Sequence, residues 1–117
     1  VSMSKKVDGF VFPTDNVVVA GMAVVLRTTV PAHQVTVSGD MGSLAAGCTA
    51  AMTVDYYKLG LQAAQLGADI LEGRTTAAET PIGVQDVKNP TFNVTAMKRL
   101  GLEIPEDLKA GALLWQK

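Results

Sequence analysis

The chain has little of what most catalytic and many structural proteins rely on. It carries one cysteine and one histidine in 117 residues. Cys48 alone cannot close an intrachain disulfide, and with no basic neighbour in sequence it reads as a small buried apolar residue, not a reactive thiol. A histidine-rich metal site is excluded, and any Ser/His/Asp triad would have to rest on His33, whose place beside Pro31 points to an exposed loop. Charge is scarce too: 18% of residues are charged, with ten basic against eleven acidic side chains, compared with about 25% charged in average globular chains. The basic residues are scattered, so neither nucleic acid nor an anionic membrane is expected as a partner. The longest apolar run, Val17 to Leu26, is far short of the roughly 20 residues that span a bilayer. Glycine-rich phosphate-binding motifs are missing, and no cofactor is expected.

What the chain does have is apolar surface. At 48% apolar residues it holds more than its charged residues can cover, so the core is unusually complete or some of the surface faces another domain or subunit. The length allows one domain. The N-terminus shows no cationic start, h-region or cleavage site. A start at Val1, with a strand almost at once, reads as a mature or truncated piece.

Two stretches organise the rest. In the first, Val7-Asp8-Gly9-Phe10-Val11-Phe12 stops at Pro13 and presents Thr14, Asp15 and Asn16. In the second, Val35-Thr36-Val37 runs into Ser38-Gly39-Asp40. Each reads as a buried strand whose C-terminal end delivers polar groups to a loop before a helix, which is where open α/β sheets bind ligands. Asn16 is expected to cap a helix over Val17 to Arg27, although the valines there favour strand. Gly39 to Gly47 reads as a glycine-rich turn and Thr49 to Val54 as a third extended segment, a strand or a crossover. From Asp55, an N-cap, runs the clearest helix. Its polar stripe is Lys58, Gln62, Gln65, Asp69 and Glu72, and Tyr56, Gly60, Ala63, Gly67 and Ile70 lie on another face. Gly73 ends it. Gly60 and Gly67 each cost about 1 kcal/mol against alanine, which close packing on a neighbour would offset. Pro81 and Pro90 bracket an expected strand at Ile82 to Val84. Asn93 caps a short helix ended by Gly101, and Pro105 opens a final turn.

The site candidates are Thr14, Asp15, Asn16 and Asp40. In a parallel sheet both carboxylates sit at one edge, where they can accept hydrogen bonds from a ligand's amine or hydroxyls. Against that stands the plainer role in which Asp15 and Asn16 cap a helix and Asp40 holds its own turn. Tyr56 and Tyr57 read as core more than as pocket lining. Asn93-Val94-Thr95 matches a glycosylation sequon, but a helix cap explains Asn93 better. Trp115 reads as a packing residue.

The stretches KVDGFVFPTDN, VSGDMGS, TVDYYKLGLQAAQLGADILEGR, ETPIGV and FNVTAMKRLGLEIPEDL, in that order, resemble the C-terminal part of an ABC transporter substrate-binding protein of the tryptophan/tyrosine or sugar uptake type. The resemblance covers nearly the whole chain. It implies a Rossmann-like or flavodoxin-like three-layer α/β lobe with a parallel sheet, as in the type I periplasmic-binding-protein fold, with the first lobe missing. It further implies that Thr14, Asp15, Asn16 and Asp40 face a cleft, that 48–55 is a hinge crossover, and that the helix over 55–73 packs on the first lobe. The chain is then the binding component of an import system, no enzyme, outside the cytoplasm, with a small molecule such as an amino acid and a membrane permease as partners. Alone it would bind weakly and self-associate through its bare faces. The rival reading is a free-standing flavodoxin-like signalling module of receiver type with an acidic metal site, for which Lys88 would have to serve as the late lysine.

Overall fold

The computed structural model describes residues 2–87 and 89–116, so Lys88 lies outside the described residues. The chain divides into two compact units, Val54–Asp86 and the remainder.

The larger unit is built on a five-stranded sheet in the order β1 (Gly9–Phe12), β2 (Val35–Ser38), β3 (Ala50–Ala51), β4 (Thr91–Asn93), β5 (Leu113–Trp115). All neighbours run parallel except β3 and β4. The chain leaves this unit after Thr53 and returns at Val87. A strand formed on that return beside β3 runs back against it. The expected parallel sheet is thus mostly parallel, with one reversed pair.

Registers sort the side chains onto two faces. Val11 pairs with Val37 and Val37 with Ala50, so these share one face; Phe12, Ser38 and Ala51 share the other. On the second face, α1 (Asn16–Thr29) buries Met22 and Leu26 with Cys48 beneath Phe12, Val18 and Val25. On the first, α4 (Val94–Leu100) puts Met97 against Ala50 and Phe92, with Val37, Ile104 and Ala112 around them. Burying the apolar faces is what overrides the strand preference of the valines in α1. Only part of the helix is covered, for Val17 and Val24 stay 81% and 59% exposed. The link from β2 to the very short β3 is strengthened by two buried threonines: Thr36 N–H donates to Thr49 Oγ1 at 3.1 Å and Thr49 N–H donates to Thr36 Oγ1 at 3.2 Å.

Several boundaries differ from the sequence reading. Asp15, not Asn16, is the N-cap of α1. The stretch from Gly39 to Gly47 is not all turn, because Met41–Ala46 forms α2 with Asp40 as its cap. No strand forms at Ile82 to Val84. Ile82 and Val84 are 93% and 80% exposed, and a Cβ at Gly83 would lie 2.5 Å from Gln62 Nε2, so this segment lies along a helix and not in a ladder. The return into the sheet is made by Thr91–Asn93, and Trp115 sits in the edge strand β5.

Other expectations hold. Asn93 caps α4 through Oδ1, which accepts from Ala96 N–H at 3.0 Å, and its Nδ2 donates to Leu44 O at 2.9 Å. At 2% exposure it presents no accessible sequon. Gly101 ends α4 at φ 67°, and α5 (Glu106–Lys109) follows Pro105. His33 is exposed, with φ 54°.

The smaller unit is α3 (Tyr56–Leu71) and the segment that returns along it. Asp55 caps α3 by accepting from Lys58 N–H at 3.1 Å, and Gly73 follows at φ 73°. Gln85 Oε1 accepts from Asp55 N–H while its Nε2 donates to Asp55 O, both at 3.0 Å. No residue of α3 is buried. Tyr56 and Tyr57, expected as core, are 62% and 77% exposed.

Candidate functional site

Parallel pairing of β1 and β2 brings their C-terminal ends, Phe12 and Ser38, side by side. The loops that leave them are tied together. Gly39 N–H donates to Phe12 O at 3.0 Å, and Thr14 Oγ1 donates back to Gly39 O at 2.9 Å. The approach is so close that a Cβ on Gly39 would stand 2.7 Å from Thr14 Oγ1. Glycine is needed here for space.

From this junction the two acids start helices. Asp15 Oδ1 accepts from Val17 N–H at 2.8 Å and Val18 N–H at 3.0 Å, and the residue is exposed. Asp40 is buried; its Oδ1 accepts from Ser43 N–H at 2.6 Å and its Oδ2 from Ser43 Oγ at 2.8 Å. Ser38 Oγ, also buried, donates to Asp40 O at 3.0 Å. Asp40 therefore has both carboxylate oxygens committed within the protein, whereas Asp15 commits one. Asn16 is exposed at the first position of α1. Thr14, Asp15, Asn16 and Asp40 do converge on one sheet edge, in graded availability: Asn16 and Asp15 face solvent, Thr14 is shared with Gly39, and Asp40 is a buried support.

Sequence reasoning missed the bond of the Ser43 side chain to Asp40 and the close approach at Gly39. The signal for Ser43 was present in the Asp40-x-x-Ser43 spacing ahead of Leu44-Ala45-Ala46, a cap followed by helix formers. The signal for Gly39 was tertiary, since the Thr14 side chain that crowds it is 25 residues away. Cys48 is fully buried, with Sγ 3.4 Å from Met22 Sδ. Burial pushes its thiol above the usual value; a hydrogen bond with Thr36 pulls it back, and the charge of Asp40 adds to the rise. Among the described residues no cluster of three His, Cys, Asp or Glu could hold a metal, and no helix is long and apolar enough to cross a membrane.

A mostly parallel sheet covered by helices, with paired polar loops at the carboxyl ends of its first two strands, makes this an open α/β lobe. The sequence profile of the family described as ABC transporter substrate binding protein matches residues 1–113, and the chain belongs to that family. It is 28% identical over 102 residues to a tyrosine-binding protein of Clostridioides difficile, covering 87% of this chain and 29% of that relative. Among solved structures, a conserved domain protein from Vibrio cholerae superposes with TM-score 0.79 at 27% identity, over 99% of this chain and 38% of its own. The ABC domain from Streptococcus pneumonia in complex with L-Trp has the same fold, with TM-score 0.80 at 24% identity, over 97% of this chain and 38% of its own. The chain thus spans about a third of the length of these relatives.

Proposed function

We propose that this chain is the C-terminal portion of the solute receptor of an ABC importer, working outside the cytoplasm, and that the β1–β2 loop edge is one wall of its cleft for an amino acid with an aromatic side chain. The observation that carries this reading is the Thr14–Gly39 tie, which fixes two loops side by side and leaves Asn16 and the second oxygen of Asp15 open to solvent. Asn16 can donate to and accept from a ligand's polar end, and the Asp15 carboxylate suits an ammonium. Asp40 and Ser43 hold the second loop in place. The tyrosine-binding relative supports the aromatic class. In this reading the segment 48–55 is the hinge crossover, the helix over 55–73 packs on a first lobe, closure of two lobes buries the ligand's apolar body, and a membrane permease receives the loaded protein.

A nuclear magnetic resonance titration of the 117-residue chain with L-tyrosine and L-tryptophan tests the wall. Weak binding is expected, with amide shifts confined to Thr14 through Val18 and Gly39 through Ser43, and lost on Asn16→Ala. Shifts centred elsewhere, or tight binding by the isolated monomeric chain, would sink the proposal.

A further inference from the structure

A second feature lies at the opposite edge of the sheet. Since α1 and α2 both begin at the carboxyl ends of β1 and β2, their C-terminal ends lie beyond the strands' N-terminal ends. There an open groove of about 400 Å³ has Leu26, Val30, Pro31 and Ala46 among its lining, with Arg27 and Arg99 beside them. Through Ala46 and Arg99 it continues into a second groove of about 250 Å³ that reaches Trp115. Arg27 is in the last turn of α1 and Arg99 in the last turn of α4, where a cation suits the helix dipole. That role explains each arginine separately. It does not explain why two different helices bring theirs to one apolar groove.

Neither arginine has an ion pair among the described residues. The described pairs engage Lys58, Arg74 and Lys109 instead, and no acid lines either groove. We infer that this groove is a docking surface for an acidic segment of a protein partner, whose carboxylates meet Arg27 and Arg99 while an apolar side chain between them rests on Leu26, Val30 and Pro31. Three features favour a protein segment over a small molecule. The groove is open, it is continued by a second one, and arginine and tryptophan are the residue types enriched where proteins dock. The charge complementarity sets the sign of the partner. A segment bound there leaves the loops at Thr14 and Gly39 free.

Trp115 is the single tryptophan of the chain and lines the continuing groove beside Arg99, so its fluorescence reports on a segment that extends from one groove into the next. The full chain is titrated with a peptide of alternating glutamate and leucine and, separately, with one of alternating lysine and leucine. The glutamate peptide is expected to shift Trp115 emission and the lysine peptide to leave it unchanged. The double substitution Arg27→Glu with Arg99→Glu should weaken binding about tenfold, the effect of losing two exposed ion pairs. Lys98→Glu, on the same helix but lining another groove, should leave binding within about twofold. Circular dichroism checks that each variant is folded. Equal responses to the two peptides, full binding by a folded double variant, or an equal loss in Lys98→Glu would overturn the inference. So would a response to phosphatidylserine vesicles without one to the glutamate peptide, which would assign the groove to a lipid headgroup.

Discussion

Gly39 is the residue on which the candidate site turns, because two loops meet where only a hydrogen fits. A Cβ there would stand 2.7 Å from Thr14 Oγ1 and 3.1 Å from Thr14 N. Gly39→Ala should lower stability by about 1–3 kcal/mol, the range for overpacking. Urea denaturation of Gly39→Ala, Thr14→Ala and the double variant measures it. The double should lose less than the sum, because removing Oγ1 relieves part of the clash. Cys48 offers a second measurement at this scale. Its folded thiol titrates above its unfolded value, so the stability that its neutral form contributes is full below about pH 8.5 and is lost as pH rises through the folded value. A thiol reagent at pH 8 should modify the native chain slowly and the urea-unfolded chain fast. Equal rates would contradict the burial.

At the scale of elements, α1 and α3 reach helix by different routes. α1 is held by the Asp15 cap and by burial of Met22 and Leu26 against the sheet, which outweigh its valines. α3 buries no residue and depends on the Asp55 cap, the bracing of Asp55 by Gln85 and hydrogen bonds such as Gln65 Nε2 to Asp69 Oδ1 at 2.9 Å. The close packing expected at Gly60 and Gly67 is not made within the chain, since a Cβ at either would have no neighbour within 4 Å. Gly60→Ala and Gly67→Ala should therefore each stabilise α3 by about 1 kcal/mol, visible as raised helicity by circular dichroism on heating. Loss of helicity would mean that these glycines answer to a contact this reading lacks.

For the whole molecule, the notable quantity is apolar surface left bare. In the larger unit Val11 and Val17 are 80% and 81% exposed; in the smaller one Tyr57 and Leu71 are 77% and 89% exposed. Surface of this kind is normally covered. The isolated chain should therefore show a weight-average mass that rises with concentration in sedimentation equilibrium. A monomer at every concentration would show that solvent tolerates these faces as they are.

The sequence by itself determined the alternation of strand and helix around the two polar loops, the caps at Asp55 and Asn93, and the stops at Gly73 and Gly101. Those features are local, set by a cap, a glycine or a run of apolar residues within a few positions. The tertiary structure alone decided the rest. β4 and β5 are three residues each, too short to carry a periodic signal, and form because neighbouring strands offer unpaired backbone groups. Helix won over strand in α1 because a sheet face was there to bury it. Asp40 became a buried support instead of an open ligand group because Ser43 folds back on both its oxygens, and Gly39 became indispensable through a threonine 25 positions away. Contacts at such separations leave no mark on local sequence, since each residue is chosen by a neighbour that only folding supplies.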